Sequence, residues 1–445
     1  MAELLSTTDT QLVSAAQAVL KANHTGQWTR PSSTQYPHQW NWDSAFISLG
    51  WATFDWTLAC MEIESMLLAR WREGMIPHIH YDPDYVKDYF PGPDRWPNTV
   101  RHIAIRGELT SGISNPTVLV TAARLVGEGQ PDTGRRHDFW RRVLPALRDW
   151  LHYMISDRQV DGQPLIAMVH PWESGWDNSP RWDHLSAARL KPRMRYERKD
   201  TAHVSVANRP TNKDYDAYVA LAEILGDVDY DVVRYRERSP FCVYDVALDA
   251  LWYRAATDLN HICTKLGEPP AVDDESLATF AAAFETFHWD PGLGLYLDWD
   301  CLAGRRIDRP TAAGLVALTS GLPGGARARA VWDRYHSLGG HGPMVKTTAP
   351  TDPGFDPQNY WRGPVWLNVN WLIHDGLIRS GLASQAEELR DESLNLVRRA
   401  GFAEYFDAVD GTAIGTSPFS WTAALTLVLL LDFRSSALTP APRLR

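Results

Sequence analysis

Residues 170–183 read His-Pro-Trp-Glu-Ser-Gly-Trp-Asp-Asn-Ser-Pro-Arg-Trp-Asp, placing three carboxylates and three tryptophans in one stretch. Gly175, Pro180 and the turn-forming run Asp177-Asn178-Ser179-Pro180 break any helical or strand period, so the stretch is a loop. A solvated connector has no use for such a collection. Carboxyls held between indole rings lose hydration, which pushes the pKa towards values useful to a general acid. Tryptophan faces are also platforms for the C–H faces of sugar rings. The rival structural explanation is a loop that plugs the core with tryptophan.

Four further stretches mix aromatics with polar groups at loops or helix starts: residues 36–43, 89–93, 360–366 and 402–406. Two carboxylates flanking a sugar are the minimum equipment for glycoside hydrolysis, one donating a proton to the leaving oxygen and the other activating water or attacking. The candidates are Asp43, Glu173, Asp177, Asp183 and Glu404. Each could instead cap a helix or form a surface pair, and Arg362 could instead pair with a structural acid. The aromatic company at every one of these positions favours sugar chemistry. His78 and His80 form an HxH that no HExxH or other spaced ligand motif supports, so no metal is expected. No glycine-rich phosphate loop occurs, and no cofactor is expected.

The elements that must position these loops are helices. Apolar residues recur at helical spacing over 9–23, 43–49, 55–71, 116–126, 137–155 (across Pro145), 215–225, 242–266, 274–287, 312–318, 326–338, 365–378, 385–399 and 420–433. Asp43 reads as the cap or first turn of its helix. Leu295-Tyr296-Leu297 and Arg305-Arg306-Ile307 flank a turn at Gly304 and predict one β-hairpin. Residues 75–108 form a long aperiodic segment of the kind found at functional sites, with Tyr89-Phe90-Pro91-Gly92-Pro93 placed to cover a ligand. Helices in this number without βαβ alternation predict an all-α fold of helices packed on helices; an αα toroid of about six hairpins would gather its long loops and the hairpin at one end. A single domain over 1–434 and a Pro-rich tail over 435–445 follow.

The 445-residue chain carries a formal charge of −10, with no basic stripe for nucleic acid. Its longest apolar run, 423–431, is about half the ~20 residues of a membrane span. Four cysteines without CxxC spacing and the lack of a basic-apolar leader predict a cytoplasmic protein. Twenty tryptophans exceed what a core of this size requires. The expected partner is a small carbohydrate, with neither nucleic acid nor membrane, and assembly as a homo-oligomer is compatible with the sequence.

Tyr36-Pro37-His38-Gln39-Trp40-Asn41-Trp42-Asp43, the stretch from Trp172 to Asp183, Tyr360-Trp361-Arg362-Gly363-Pro364-Val365-Trp366 and Phe402-Ala403-Glu404-Tyr405 resemble, in order, motifs of glycoside hydrolase family 63. The resemblance is to its mannosylglycerate and glucosylglycerate hydrolases. It implies an (α/α)6 barrel and an inverting, metal-free hydrolysis of α-glycosides, with Asp177 matching the general acid and Glu404 the general base. By the same matching Trp42 and Asp43 hold the sugar, helped by Trp172, Tyr360, Trp361 and Trp366, while Tyr36, Tyr89, Arg209 and Tyr215 grip a glycerate moiety. Trp40, Asn115, Arg362 and Trp421 complete the expected binding set. Asn115 stands where the glucosylglycerate enzymes carry Gln, and Pro418-Phe419-Ser420-Trp421 replaces a more polar run, both on the leaving-group side. The function implied is release of glucose or mannose and D-glycerate from the glycosylglycerate. The alternatives are an α-glucosidase on a neutral disaccharide and an inactive sugar-binding protein on the same barrel.

Overall fold

The periodic segments form helices, and several begin where the sequence supplies an acceptor. The computed structural model describes residues 6–105, 107–201, 204–339 and 344–431. Within these lie α1 (Thr7–Asn23), α2 (Asn41–Ala52), α3 (Trp56–Leu68), α4 (Val118–Glu128), α5 (Thr133–Ser156), α6 (Asn212–Asp227), α7 (Val246–Leu266), α8 (Asp274–His288), α9 (Ala313–Val316), α10 (Gly325–Ser337), α11 (Leu367–Arg379), α12 (Ala383–Ala400) and α13 (Ser420–Leu430). A 3-10 turn, Ala317–Ser320, prolongs α9. Asp55, Asp132, Asp245 and Asp273 cap α3, α5, α7 and α8 by accepting a backbone N–H of the first turn, as N-cap carboxylates do.

Helices α2, α4, α7, α9, α11 and α13 pack in that order into a ring that closes where α13 meets α2. Each is backed by an outer helix of the set α1, α3, α5, α8, α10 and α12, so the fold is an (α/α)6 barrel. Composition explains the two layers. Inner helices are buried on nearly every side, α2 from Asn41 to Trp51 and α13 from Ser420 to Leu429. Outer helices such as α12 bury one stripe, including Ala386, Leu389 and Leu396.

Strands are two residues long and staple the loops: β1 (Gln39–Trp40) to β2 (Ile79–His80), β3 (Ala167–Met168) to β4 (Val243–Tyr244), β5 (Trp289–Asp290) to β6 (Leu295–Tyr296), β7 (Trp299–Asp300) to β8 (Arg305–Arg306), and β9 (Tyr405–Phe406) to β10 (Ala413–Ile414). β4 also pairs with β7, joining β3, β4, β7 and β8 into one sheet.

The single hairpin expected over 289–308 is corrected to two. Leu295-Tyr296 pairs back to Trp289-Asp290, and Arg305-Arg306 pairs back to Trp299-Asp300. Turns at Gly294 and Gly304, both with positive φ, separate strands too short to show a period. The helix expected over 242–266 gives its first residues to β4 and starts at Val246. α6 starts earlier than expected because Thr211 and Asp214 form a reciprocal capping box, and α5 runs through Pro145. The tail 435–445 and the boundary at 434 lie outside the described residues.

Candidate active site

The loop that carries Asp177 hangs from one buried ion pair. Glu173 takes Arg158 on both oxygens, Nη1 at 2.8 Å and Nη2 at 2.5 Å, and also accepts the backbone N–H groups of Ser114 at 3.2 Å and Val169 at 2.8 Å. Four donors leave this carboxylate nothing to give a substrate; it fixes the loop. Gly175 follows with φ +74°, and a Cβ there would stand 2.5 Å from the Trp42 ring, so the left-handed turn and the close approach both require glycine. Tyr218 donates its hydroxyl to the Asp177 carbonyl at 2.8 Å. Asn178 receives the Trp361 N–H at 3.0 Å and donates to Asn359 at 2.7 Å, tying the loop to residues 359–361. Beneath it, Arg181 pairs with Asp245 at 2.7 Å and Asp298 at 3.0 Å.

Of the five candidate carboxylates, the structure thus removes two. Glu173 is anchored as described, and Asp183 takes Arg362 at 2.7 and 3.0 Å. Asp43, Asp177 and Glu404 line one pocket. It sits at the N-terminal ends of α2, α4, α11 and α13, where Asp43 and Trp421 belong to first turns and Asn115 and Trp361 to the preceding loops.

Glu404 lies just before β9 and is held by its neighbours on both oxygens. Tyr36 donates to Oε1 at 2.7 Å and the Thr416 N–H to Oε2 at 3.0 Å. Arg209 closes over it with Nη2 3.1 Å from Oε2 and Nη1 3.4 Å from Oε1, and Nη1 also donates to the Tyr36 hydroxyl at 2.8 Å. Arg209 and Glu404 are each almost wholly buried.

Burial sets the electrostatics. It pushes the Asp177 carboxyl up to about 8; the Arg209 cation opposes this, while Asp200 and Glu404 reinforce it. Asp43 rises well above the ordinary carboxyl range, first through burial and then through the charge of Glu404. Burial disfavours the Arg209 cation, but Glu404 and the surrounding tyrosines hold its pKa well above the usual value. Burial also raises Tyr36, Tyr89, Tyr215 and Tyr360 far enough to keep them neutral hydroxyls. The pocket therefore places two carboxyls in unlike surroundings, Asp177 raised by burial and Glu404 ion-paired with Arg209.

Fourteen of the expected residues line this pocket: Tyr36, Trp40, Trp42, Asp43, Tyr89, Asn115, Trp172, Asp177, Arg209, Tyr215, Tyr360, Trp361, Glu404 and Trp421. Two do not. Arg362 is committed to Asp183 and to the carbonyls of Asn178 and Gly354, both at 3.2 Å, so it braces the Asp177 loop from behind. Trp366 lies beneath Trp361, ring on ring at 3.6 Å, with its indole N–H on the Tyr360 carbonyl; it supports the platform without touching the cavity.

Seven lining residues are missing from the expected set, among them His78, Asp200 and Phe419. The HxH spacing offers His78 only as a metal ligand; burial, then the charge of His170, holds it far below its ordinary pKa, and its Nδ1 lies 2.7 Å from the Ser111 hydroxyl. His80 pairs with Glu108. Asp200 is clamped by Arg198 at 2.7 and 3.0 Å and sits in a charged, aperiodic run that carries no sequence signal. The segment over 81–103 reaches the pocket through Tyr89 and Pro91, while Phe90 stacks on Tyr196 at 5.1 Å.

A family model described as the mannosylglycerate hydrolase MGH1-like glycoside hydrolase domain matches residues 36–422. The mannosylglycerate hydrolase of Thermus thermophilus is 38% identical over 415 residues, covering 93% of this chain and 99% of that protein. The glucosylglycerate hydrolase of Mycolicibacterium hassiacum is 34% identical over 441 residues, covering 95% and 98% of the two chains. Among solved structures, a GH63 mannosylglycerate hydrolase from Thermus thermophilus in complex with Tris and D-glycerate superposes with a TM-score of 0.87 at 37% identity, covering 94% of this chain and 99% of that one.

Proposed function

Because the chain belongs to the mannosylglycerate hydrolase MGH1-like family and is a glycoside hydrolase, we propose that it inverts the anomeric centre of a small α-glycoside, glucosylglycerate or mannosylglycerate. The observation that carries this reading is the pair of unlike carboxyls in one pocket: Asp177 raised to about 8 by burial and Glu404 ion-paired with Arg209.

Asp177 donates its proton to the glycosidic oxygen as that bond breaks. Glu404 takes a proton from the water that attacks the opposite face of the sugar. Trp42, Trp361 and Trp421 supply the apolar walls of the cleaved subsite, with Trp42 edge-on to Trp421 at 5.7 Å. The Asp43 carboxyl in the first turn of α2 meets sugar hydroxyls. Tyr36, Tyr89, Asn115, Arg209 and Tyr215 face the leaving group, and Arg209 matches a glycerate carboxylate in charge and shape.

A reducing-sugar assay across glucosylglycerate, mannosylglycerate, trehalose, kojibiose and nigerose tests the proposal. Turnover of a glycosylglycerate at least ~10-fold above every neutral disaccharide supports it; turnover of the neutral sugars alone refutes the leaving-group assignment. One observation favours that second reading, a neutral α-glucoside: the guanidinium of Arg209 is already engaged by Glu404.

A further inference from the structure

Glu404, read as the base, has no room to accept a proton. A carboxylate offers about four lone-pair positions, and four donors fill them: Tyr36 and Arg209 Nη1 on Oε1, Arg209 Nη2 and the Thr416 N–H on Oε2. Water cannot hand over a proton until one donor leaves. The backbone of Thr416 is fixed by its own loop, since its carbonyl accepts the Glu404 N–H at 2.9 Å. Tyr36 holds the shortest of the four contacts, 2.7 Å. Arg209 holds the loosest, at 3.1 and 3.4 Å, longer than the ~2.7–2.9 Å of a tight charge-assisted fork.

Arg209 is also the only Lys or Arg among the described residues that line the pocket, against four acids there: Asp43, Asp177, Asp200 and Glu404. An anionic ligand in this pocket therefore has one cation to pair with, and it is the one closed over the base. The guanidinium lies 4.5 Å over the Tyr360 ring, and its buried Nε has no partner among the described residues. The aromatic face and the spare N–H allow it to turn without losing its support.

We propose that Arg209 is a shared cation: it keeps Glu404 fully coordinated in the empty pocket and is drawn off by the carboxylate of an anionic leaving group, which frees the base to take a proton from water. When it turns, one position opens on each Glu404 oxygen, while the Tyr36 hydroxyl and the Thr416 N–H stay to orient the carboxylate. The substrate's charge is thereby coupled to the chemical step as well as to binding. This rests on the reading of Glu404 as base and glycerate as leaving group. It also reconciles the engaged Arg209 with an anionic substrate.

The test is a split of kcat from KM on two substrates that differ only in the carboxylate, glucosylglycerate and glucosylglycerol, or the mannosyl pair where mannose is the sugar cleaved. In the wild type, kcat on the anionic substrate exceeds that on the neutral one by roughly tenfold or more. Arg209→Ala raises KM on the anionic substrate by at least ~10-fold, yet increases kcat on the neutral one, because both positions on Glu404 are now open. An equal fall in kcat on both substrates overturns the proposal and makes Arg209 a plain anchor for the base. Where the variant does not fold, a crystal structure of the wild type with D-glycerate decides. A guanidinium on the glycerate carboxylate and off Glu404 supports sharing; a fork still closed on Glu404 overturns it. Hydrolysis of neutral disaccharides with none of either glycosylglycerate fails the substrate reading itself, a different outcome from equal handling of the matched pair.

Discussion

Replacing Asp177 with Asn separates what this carboxyl does for catalysis from what it costs the fold. In the folded protein burial raises it from 3.8 to about 8, so between those values the folded state holds a proton that the unfolded state has released. Stability associated with Asp177 is therefore greatest below about pH 4, falls as pH rises, and levels off above about 8. At ~1.4 kcal/mol for each pH unit of that gap, the ceiling is about 5–6 kcal/mol. The amide is neutral throughout and escapes this loss. In urea unfolding at pH 5, 7 and 9, Asp177→Asn gains on the wild type as pH rises and is the more stable protein by several kcal/mol at pH 9. Asp43 and Glu62 are also raised by burial, but they are present in both proteins and cancel in the difference. The same titration sets the alkaline limb of wild-type kcat/KM near pH 8, with about tenfold lower activity at pH 9 than at pH 7. A stability difference independent of pH, or a limb two units lower, refutes the protonated-acid assignment.

Three further substitutions probe the scaffold around this acid. Glu173→Gln breaks the buried pair with Arg158 and should cost ~3–5 kcal/mol in urea unfolding; unchanged stability would mean that Glu173 does not anchor the loop. Gly175→Ala forces a Cβ into Trp42 at positive φ, a strain of ~1–3 kcal/mol, and should lower kcat/KM at least ~10-fold because acid and sugar platform move together. Arg362→Ala should leave KM within about twofold of wild type, since its guanidinium meets Asp183 and loop carbonyls outside the pocket; a large rise in KM would return it to the binding set.

Much of this was legible because the barrel places function where sequence is distinctive. Inner helices begin directly after aromatic-rich loops, so Trp42, Trp361 and Trp421 announced themselves by composition and position alike. Asp177 and Glu404 stood among candidate carboxylates for the same reason. What separates Asp177 from Glu173 is Arg158, fifteen residues upstream of Glu173 on a different element, and no spacing rule reaches it. Aromatic neighbours misled for Arg362 and Trp366, which carry the same surroundings on the far side of the platform. Asp200 gave no signal because its partner Arg198 and neighbour Lys199 make it look like a solvated charge run. The two-residue strands are too short for a period of two, which merged two hairpins into one and hid β4 within a helical run. The start of α6 was available from the Thr211-x-x-Asp214 box. The clasp of Arg209 on Glu404 spans 195 positions and appears only in the fold.

In the proposed mechanism Asp177 and Glu404 act from opposite faces of an α-glycoside, with water between Glu404 and the anomeric carbon. Proton NMR of a glycosylglycerate digest, followed from the first minutes before mutarotation, reads this directly from the anomeric signals. Inversion makes the β-anomer of the free sugar appear first, and the α-anomer grows in later at the mutarotation rate. Initial appearance of the α-anomer would mean a covalent intermediate and retention, and would refute inversion.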